Sequence, residues 1–207
     1  MILGLKLYLK NRKPTWKGFW FKLLFASKKL QIGKRFKCDS WPDISITDKG
    51  KIIIQDDVYL RRSVELRVHG DATINLKGNN RIDRGVRLLA ANKSELTIGE
   101  GSKIGLYSVL NGGDSITLGK NVLLSGFVYL QTSMHNHEKE IMVQNQGYSH
   151  APIILEDDTW CGAHVVVFPG VTMKQGSIAG SNAVVNTSID KNVIVGGVPA
   201  KQLKLRQ

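Results

Sequence analysis

The chain carries only two cysteines and five prolines in 207 residues, and its first 37 residues hold no acidic side chain. Cys38 and Cys161 cannot build a disulfide framework, and neither sits in a metal-type pair, so the sequence points to a reducing, cytoplasmic setting. Long apolar runs are missing too: Lys6, Lys10 and Lys17 break up the N-terminal segment before it reaches the length of a secretory core or a spanning helix. What is present is ordinary for a globular domain, with 42% apolar and 22% charged residues. The net charge of +12 is unevenly placed. Eleven basic side chains lie between Lys6 and Lys37, leaving 18 Lys and Arg against 17 acids in the rest. The body is near neutral and lacks a basic stripe, which argues against a nucleic-acid role.

Within that basic segment, residues 1–31, Trp16, Phe19, Trp20, Leu23 and Leu24 follow the spacing of one helix face, with Lys17, Lys22 and Lys28 among them. Two placements suit such an amphipathic helix. One is the interface of an anionic membrane on its inner face, where each Lys near the surface adds about 1 kcal/mol of attraction. The other is a cap on the end of the domain core.

The body is a repeat. Leu155, Cys161, Val167, Met173, Ala179 and Val185 are six residues apart without a gap, and four positions after each stands Thr159, Val165, Val171, Ser177, Ala183 or Ile189. The phase returns upstream in triplets: Leu118, Leu124, Leu130; Ile98, Ile104, Leu110; Leu76, Ile82, Leu88; Ile54, Leu60, Leu66; and Ile32, Cys38, Ile44. Successive triplets step by 22, 22, 22, 20, 37 and 18 residues. A six-residue period fits neither a helix nor a simple strand, whereas three such sides close a triangular coil whose copies stack at the strand spacing. The reading is an all-β parallel β-helix over residues 32–192, of about seven coils, followed by a tail at 193–207. Gly33, Gly99, Gly105, Gly119, Gly162 and Gly180, each just after an inward residue, suit corners that need either positive φ or the absence of a Cβ. The 37-residue step holds one coil plus an excursion at about 133–152, the place to seek function.

The run Leu155-Glu-Asp-Asp-Thr-Trp160-Cys-Gly-Ala-His-Val-Val-Val-Phe-Pro169-Gly170-Val-Thr, the Ala179-Gly-Ser-Asn-Ala-Val hexad and the ending Gly197-Val-Pro-Ala-Lys201 resemble the hexapeptide-repeat acyltransferases. They are similar in particular to the maltose, galactoside and xenobiotic O-acetyltransferases and to relatives that acetylate capsular, exopolysaccharide or lipopolysaccharide sugars. The resemblance implies a left-handed β-helix, a homotrimer, acetyl-CoA as donor, a saccharide acceptor, and active sites shared between neighbouring subunits. The hand comes from the resemblance alone, since parallel crossovers in general favour the right hand.

Transfer of an acetyl group to a hydroxyl needs a base near neutral pH, a task an imidazole suits. The mouth of the excursion reads Ser133-Met-His135-Asn-His137-Glu138. The family's motif matches its general base to His137, with His135 the close second. Met134 stands where relatives commonly carry an acid, leaving Glu138 and Glu140 as substitutes for orienting the ring. By the same resemblance Trp160, Ala163, Ser181, Lys201 and Lys204 line the donor groove, small residues walling the pantetheine channel and Lys meeting phosphate. Tyr107, Asn111 and Tyr148 are candidates to face the acceptor sugar. His164, inside the repeat, is expected at the surface or a subunit interface, and His69 and His150 have no motif around them. Two competing readings are an inert trimeric scaffold with a membrane-binding arm, and a zinc-dependent β-helix like the gamma-class carbonic anhydrases. The second lacks its His-x4-His pair, so no metal site is assigned.

Overall fold

The computed structural model describes residues 2–207, with side chains from residue 12 onward; Lys6 and Lys10 fall outside the described side chains. Each hexad becomes one short strand of a three-sided coil, and like sides stack in parallel through seven coils. Side one runs from Leu30–Ile32 to Thr172–Met173, side two from Lys37–Cys38 to Ile178–Ala179, and side three from Asp43–Ile46 to Val184–Val185. The register follows the sequence steps. Leu30 faces Ile52, Ile74 and Leu96 in turn at 22-residue intervals, then Ile116, then Ile153 across the long excursion.

Of the 21 inward positions in the repeat, all but one are buried, and the six residues from Thr159 to Ile189 that follow at four-residue offsets are buried as well. At about 1.5–3 kcal/mol for each large aliphatic side chain removed from water, this column is the main source of stability. The exception is Ile44, half-buried at the N-terminal end, where the cap described below leaves side three partly open.

Of the two reasons expected for the corner glycines, crowding of a Cβ is the one that applies. None of Gly33, Gly99, Gly105, Gly119, Gly162 and Gly180 has positive φ. They are glycines because coils approach closely: a Cβ on Gly99 would lie 2.1 Å from the Gly119 carbonyl oxygen. Left-handed residues sit instead three positions after the inward residue of side one, as Arg35, Asp57, Asn79, Gly101, Asn121, Asp158, Gly176 and Asn192. Asn, Asp and Gly tolerate that conformation best. The same offset after side two gives Ser63, Gly85, Tyr107, Phe127, His164 and Asn182.

The helix α1, Ile2–Phe25, caps the N-terminal end of the prism. Phe21 is buried in the core against Phe36, and the Gly18 backbone presses on the Phe36 carbonyl so closely that a Cβ would lie 2.2 Å from it. Lys17 and Lys22 donate to the carbonyls of Asp39 and Gly33 on the first coil, at 2.6 and 2.9 Å. The face that touches the core is therefore not the aromatic stripe read from the sequence. Trp16, Phe19, Trp20, Leu23 and Leu24 lie on the opposite, exposed face, so the described part of α1 is apolar on two faces rather than one. At the other end, residues 193–207 are no loose tail. Val193–Gly196 extends side two in parallel, and Lys201–Leu205 returns antiparallel to it.

Candidate active site

The excursion folds as a hairpin. Ser133–His135 pairs antiparallel with Tyr148–His150, and a single 3-10 turn, Val143–Asn145, lies near its tip. Its base is fixed by buried Thr132, whose backbone carbonyl accepts from the Ala151 N–H and whose hydroxyl donates to the Asn111 carbonyl. Gly113 makes room for that base, since a Cβ there would meet Ser133 Oγ at 2.2 Å and His150 Nδ1 at 2.9 Å. Farther out, the Gln146 side chain bonds the Glu138 N–H, the Glu138 carbonyl and the Ile141 carbonyl, holding the loop as a unit. The tip leaves Ile141, Met142 and Val143 exposed, Met142 at 67%.

A polar chain connects the hairpin to side three of the prism. Asn111 Nδ2 and Tyr129 OH both donate to Gln131 Oε1, at 2.8 and 2.7 Å, and Gln131 Nε2 donates to the Ser133 carbonyl at 2.7 Å. Ser133 Oγ lies 2.8 Å from His150 Nδ1. The His135 ring packs against Tyr148 with centroids 4.1 Å apart. His137 Nδ1 lies 3.3 Å from the His135 carbonyl oxygen, so an N–H at Nδ1 donating there leaves Nε2 as the basic nitrogen. Glu138 and Glu140, considered for orienting the ring, make no hydrogen bond or ion pair through their carboxylates among the described residues. His135, His137, Tyr148 and Asn111 thus form one cluster. His150, Ser133 and Gln131 join it, and the sequence reading missed them: hairpin partners separated by a 12-residue loop leave no periodic signal.

Tyr107 does not join this cluster. It stands at the corner where side three begins, in a column with Phe127 and His164, the ring centroids 5.6 and 4.8 Å apart, and the Arg84 guanidinium lies 5.5 Å from its ring. His164 is exposed at the surface. Ala163 and Ser181 lie at the same corner one coil apart, where the Asn182 N–H donates to the Ala163 carbonyl and the Ser181 backbone fills the space beside Gly162. Trp160 stands half-exposed on side two and donates through Nε1 to Ser125 Oγ at 3.1 Å. Lys204 lies in the same row, two strands beyond Ile178, and Lys201 is exposed opposite Gly196. The histidine hairpin leaves side three at its C-terminal edge, whereas the small-residue track borders its N-terminal edge.

The two cysteines face inward and are buried. Burial pushes the Cys161 thiol up to about 12 and that of Cys38 to about 11. Among the described residues no group of three or more His, Cys, Asp or Glu side chains is placed to hold a metal ion.

The stacked hexapeptide coils agree with the family that the motifs resemble, the hexapeptide-repeat acyltransferases. The sequence relatives and structural neighbours are of this kind. The galactoside O-acetyltransferase of Escherichia coli is 34% identical over 90 residues, which cover 44% of each chain. The putative lipopolysaccharide biosynthesis O-acetyl transferase WbbJ of the same species is 26% identical over 145 residues, 66% of this chain and 74% of WbbJ. A variant of AntD, an N-acyltransferase from Bacillus cereus solved with dTDP and coenzyme A, superposes with a TM-score of 0.57 at 26% identity, covering 69% of this chain and 78% of that one. The match to the galactoside enzyme takes in less than half of that protein's length. No family model matches the chain.

Proposed function

We propose that the protein is an acetyl-CoA-dependent O-acetyltransferase acting on a sugar hydroxyl, in the assembly of a surface polysaccharide. The observation that carries this reading is the placement of a His-x-His hairpin and its Asn111–Gln131–Ser133 chain on one edge of side three, with the Ala163–Ser181 track on the other edge of that side. The kinship with a galactoside O-acetyltransferase, with WbbJ and with a coenzyme A-bound acyltransferase supports both donor and acceptor class.

In this mechanism His137, or His135 in its place, takes the proton of the acceptor hydroxyl. The oxygen attacks the thioester carbonyl, the new C–O bond replaces the C–S bond, and the imidazolium returns its proton to the departing thiolate. Asn111 and Tyr148 hold the sugar. Trp160, Ala163, Ser181, Lys201 and Lys204 line the path of coenzyme A. The protein is a homotrimer in which the hairpin of one subunit closes on the donor edge of the next. The apolar tip Ile141–Val143, exposed in the single chain, supplies a surface for that contact.

The test is thiol release from acetyl-CoA across a panel of sugars and amino sugars, comparing the wild type with His135→Ala and His137→Ala. Loss of turnover in one of the two with intact acetyl-CoA binding is expected. Full activity in both would remove the imidazole from the mechanism.

A further inference from the structure

The N-terminal cap carries more than its core contacts need. One face of α1 seals the first coil through Gly18 and Phe21, while the opposite face holds Trp16, Phe19, Trp20, Leu23 and Leu24, with Trp16 65% exposed. A helix whose only task is to cap a core gains nothing from five large apolar side chains turned outward. Two features border this band. On one flank lies a cleft of about 790 Å³ lined by Lys13, Lys17, Lys37, Arg61 and Arg62, with Asp39 as its single acid. Asp39 is taken up by Arg61 and Tyr59, whereas Lys13, Lys37 and Arg62 make no ion pair among the described residues. At the C-terminal end of the helix lies an apolar groove of about 400 Å³ among Phe21, Phe25, Leu30, Trp41, Pro42, Ile44 and Ile46, beside Lys29.

We propose that this end of the prism docks on an anionic lipid bilayer, with the Trp16–Phe19–Trp20 face entering the headgroup boundary and the cleft cations meeting lipid phosphates. Charge decides the occupant. An apolar band flanked by unpaired cations, in a segment without acids from residue 1 to 37, complements a negatively charged surface and not an apolar protein groove alone. No helix among the described residues is long and apolar enough to cross a membrane, so α1 lies on the bilayer instead of spanning it. The contact is independent of the acetyl-transfer chemistry, because none of these residues belongs to the hairpin or to the donor edge.

Sedimentation of the full chain with vesicles tests it, using phosphatidylcholine with phosphatidylglycerol against phosphatidylcholine alone. Stronger binding to the anionic vesicles, weakened by salt, is expected. The triple variant Trp16→Ser, Phe19→Ser, Trp20→Ser should bind at least tenfold more weakly with an unchanged melting curve, since these side chains are exposed. The triple variant Lys13→Gln, Lys37→Gln, Arg62→Gln should lose the anionic preference, each cation near the surface being worth about a fivefold change in partitioning. Equal binding of wild type to both vesicles, or wild-type binding by either variant, overturns the proposal. So does a smaller assembly of the aromatic variant by light scattering, which would make the face a contact between copies of the chain.

Discussion

If the site is shared between subunits as proposed, two inactive variants mixed in one assembly are expected to regain activity. The first variant carries His135→Ala and His137→Ala, which remove both hairpin bases. The second carries Trp160→Ala and Ala163→Leu, which strip the donor edge and fill its track. On side three Tyr129 stands in register with Val166, so the hairpin base at Thr132 is level with Pro169, six residues beyond Ala163. At about 3.3 Å per residue the two edges are roughly 20 Å apart within one chain. Acyl transfer needs the reacting atoms about 3–3.5 Å apart. The proposed shared site would remove that gap, because a neighbour would bring its own hairpin to the donor edge. Under random assortment a site is competent when its hairpin comes from the second variant and its donor edge from the first, which holds for roughly a quarter of sites in a heterologous ring. The assay is thiol release from acetyl-CoA after the two variants are unfolded together and refolded, with each variant refolded alone as the control. Mixed trimers no more active than the controls would refute the two-chain site and confine both edges to one subunit.

Gly113→Ala should cost turnover far more than stability. Its Cβ would push on Ser133 Oγ and His150 Nδ1 at the hairpin base while leaving the inward column untouched, so kcat should fall at least tenfold with the melting temperature nearly unchanged, as read by kinetics beside thermal unfolding. Arg61→Gln should move acid unfolding to higher pH. Burial acts to raise the Asp39 carboxyl, but hydrogen bonds from Tyr59 and Arg61 and the charges of Arg61 and Arg62 outweigh it and hold the group below the usual carboxylate range. Its contribution to stability is therefore complete above the unfolded value of about 3.9 and disappears as pH falls through the lower folded value. Without Arg61 the carboxyl is protonated sooner, and circular dichroism across an acid titration would show an unshifted midpoint if the reasoning is wrong.

The inward column was legible because each side buries residues at fixed positions of a six-residue period, and that constraint is local: Leu88 or Leu110 is apolar whatever the rest of the chain does. The hairpin site was legible only as a place. His135 and His137 lie within five residues of the hairpin base at Thr132, but His150 reaches Ser133 through a pairing that loop geometry sets. Tyr107 and Asn111 share the coil before the one that leads to the histidines, yet a corner in the left-handed conformation turns Tyr107 into the Phe127–His164 column instead. In α1 the spacing of Trp16, Phe19, Trp20, Leu23 and Leu24 identified a real face. It hid the second one, since a single Phe21 beside Gly18 is too sparse to register as a stripe although it makes the core contact.

The cap and the hairpin also fix a distance. The hairpin leaves the prism at the fifth coil, four coil steps from the first, which at about 4.8 Å per step places its base roughly 19 Å along the axis. The cap helix adds about 10 Å. With the aromatic face of α1 at a bilayer surface and the prism axis along its normal, the hairpin base would stand about 30 Å above it, beyond a sugar joined directly to a lipid. If the proposed transfer and the proposed docking both hold, a membrane-held acceptor would have to project that far, which predicts an extended glycan with the acetylated hydroxyl several sugars from its anchor.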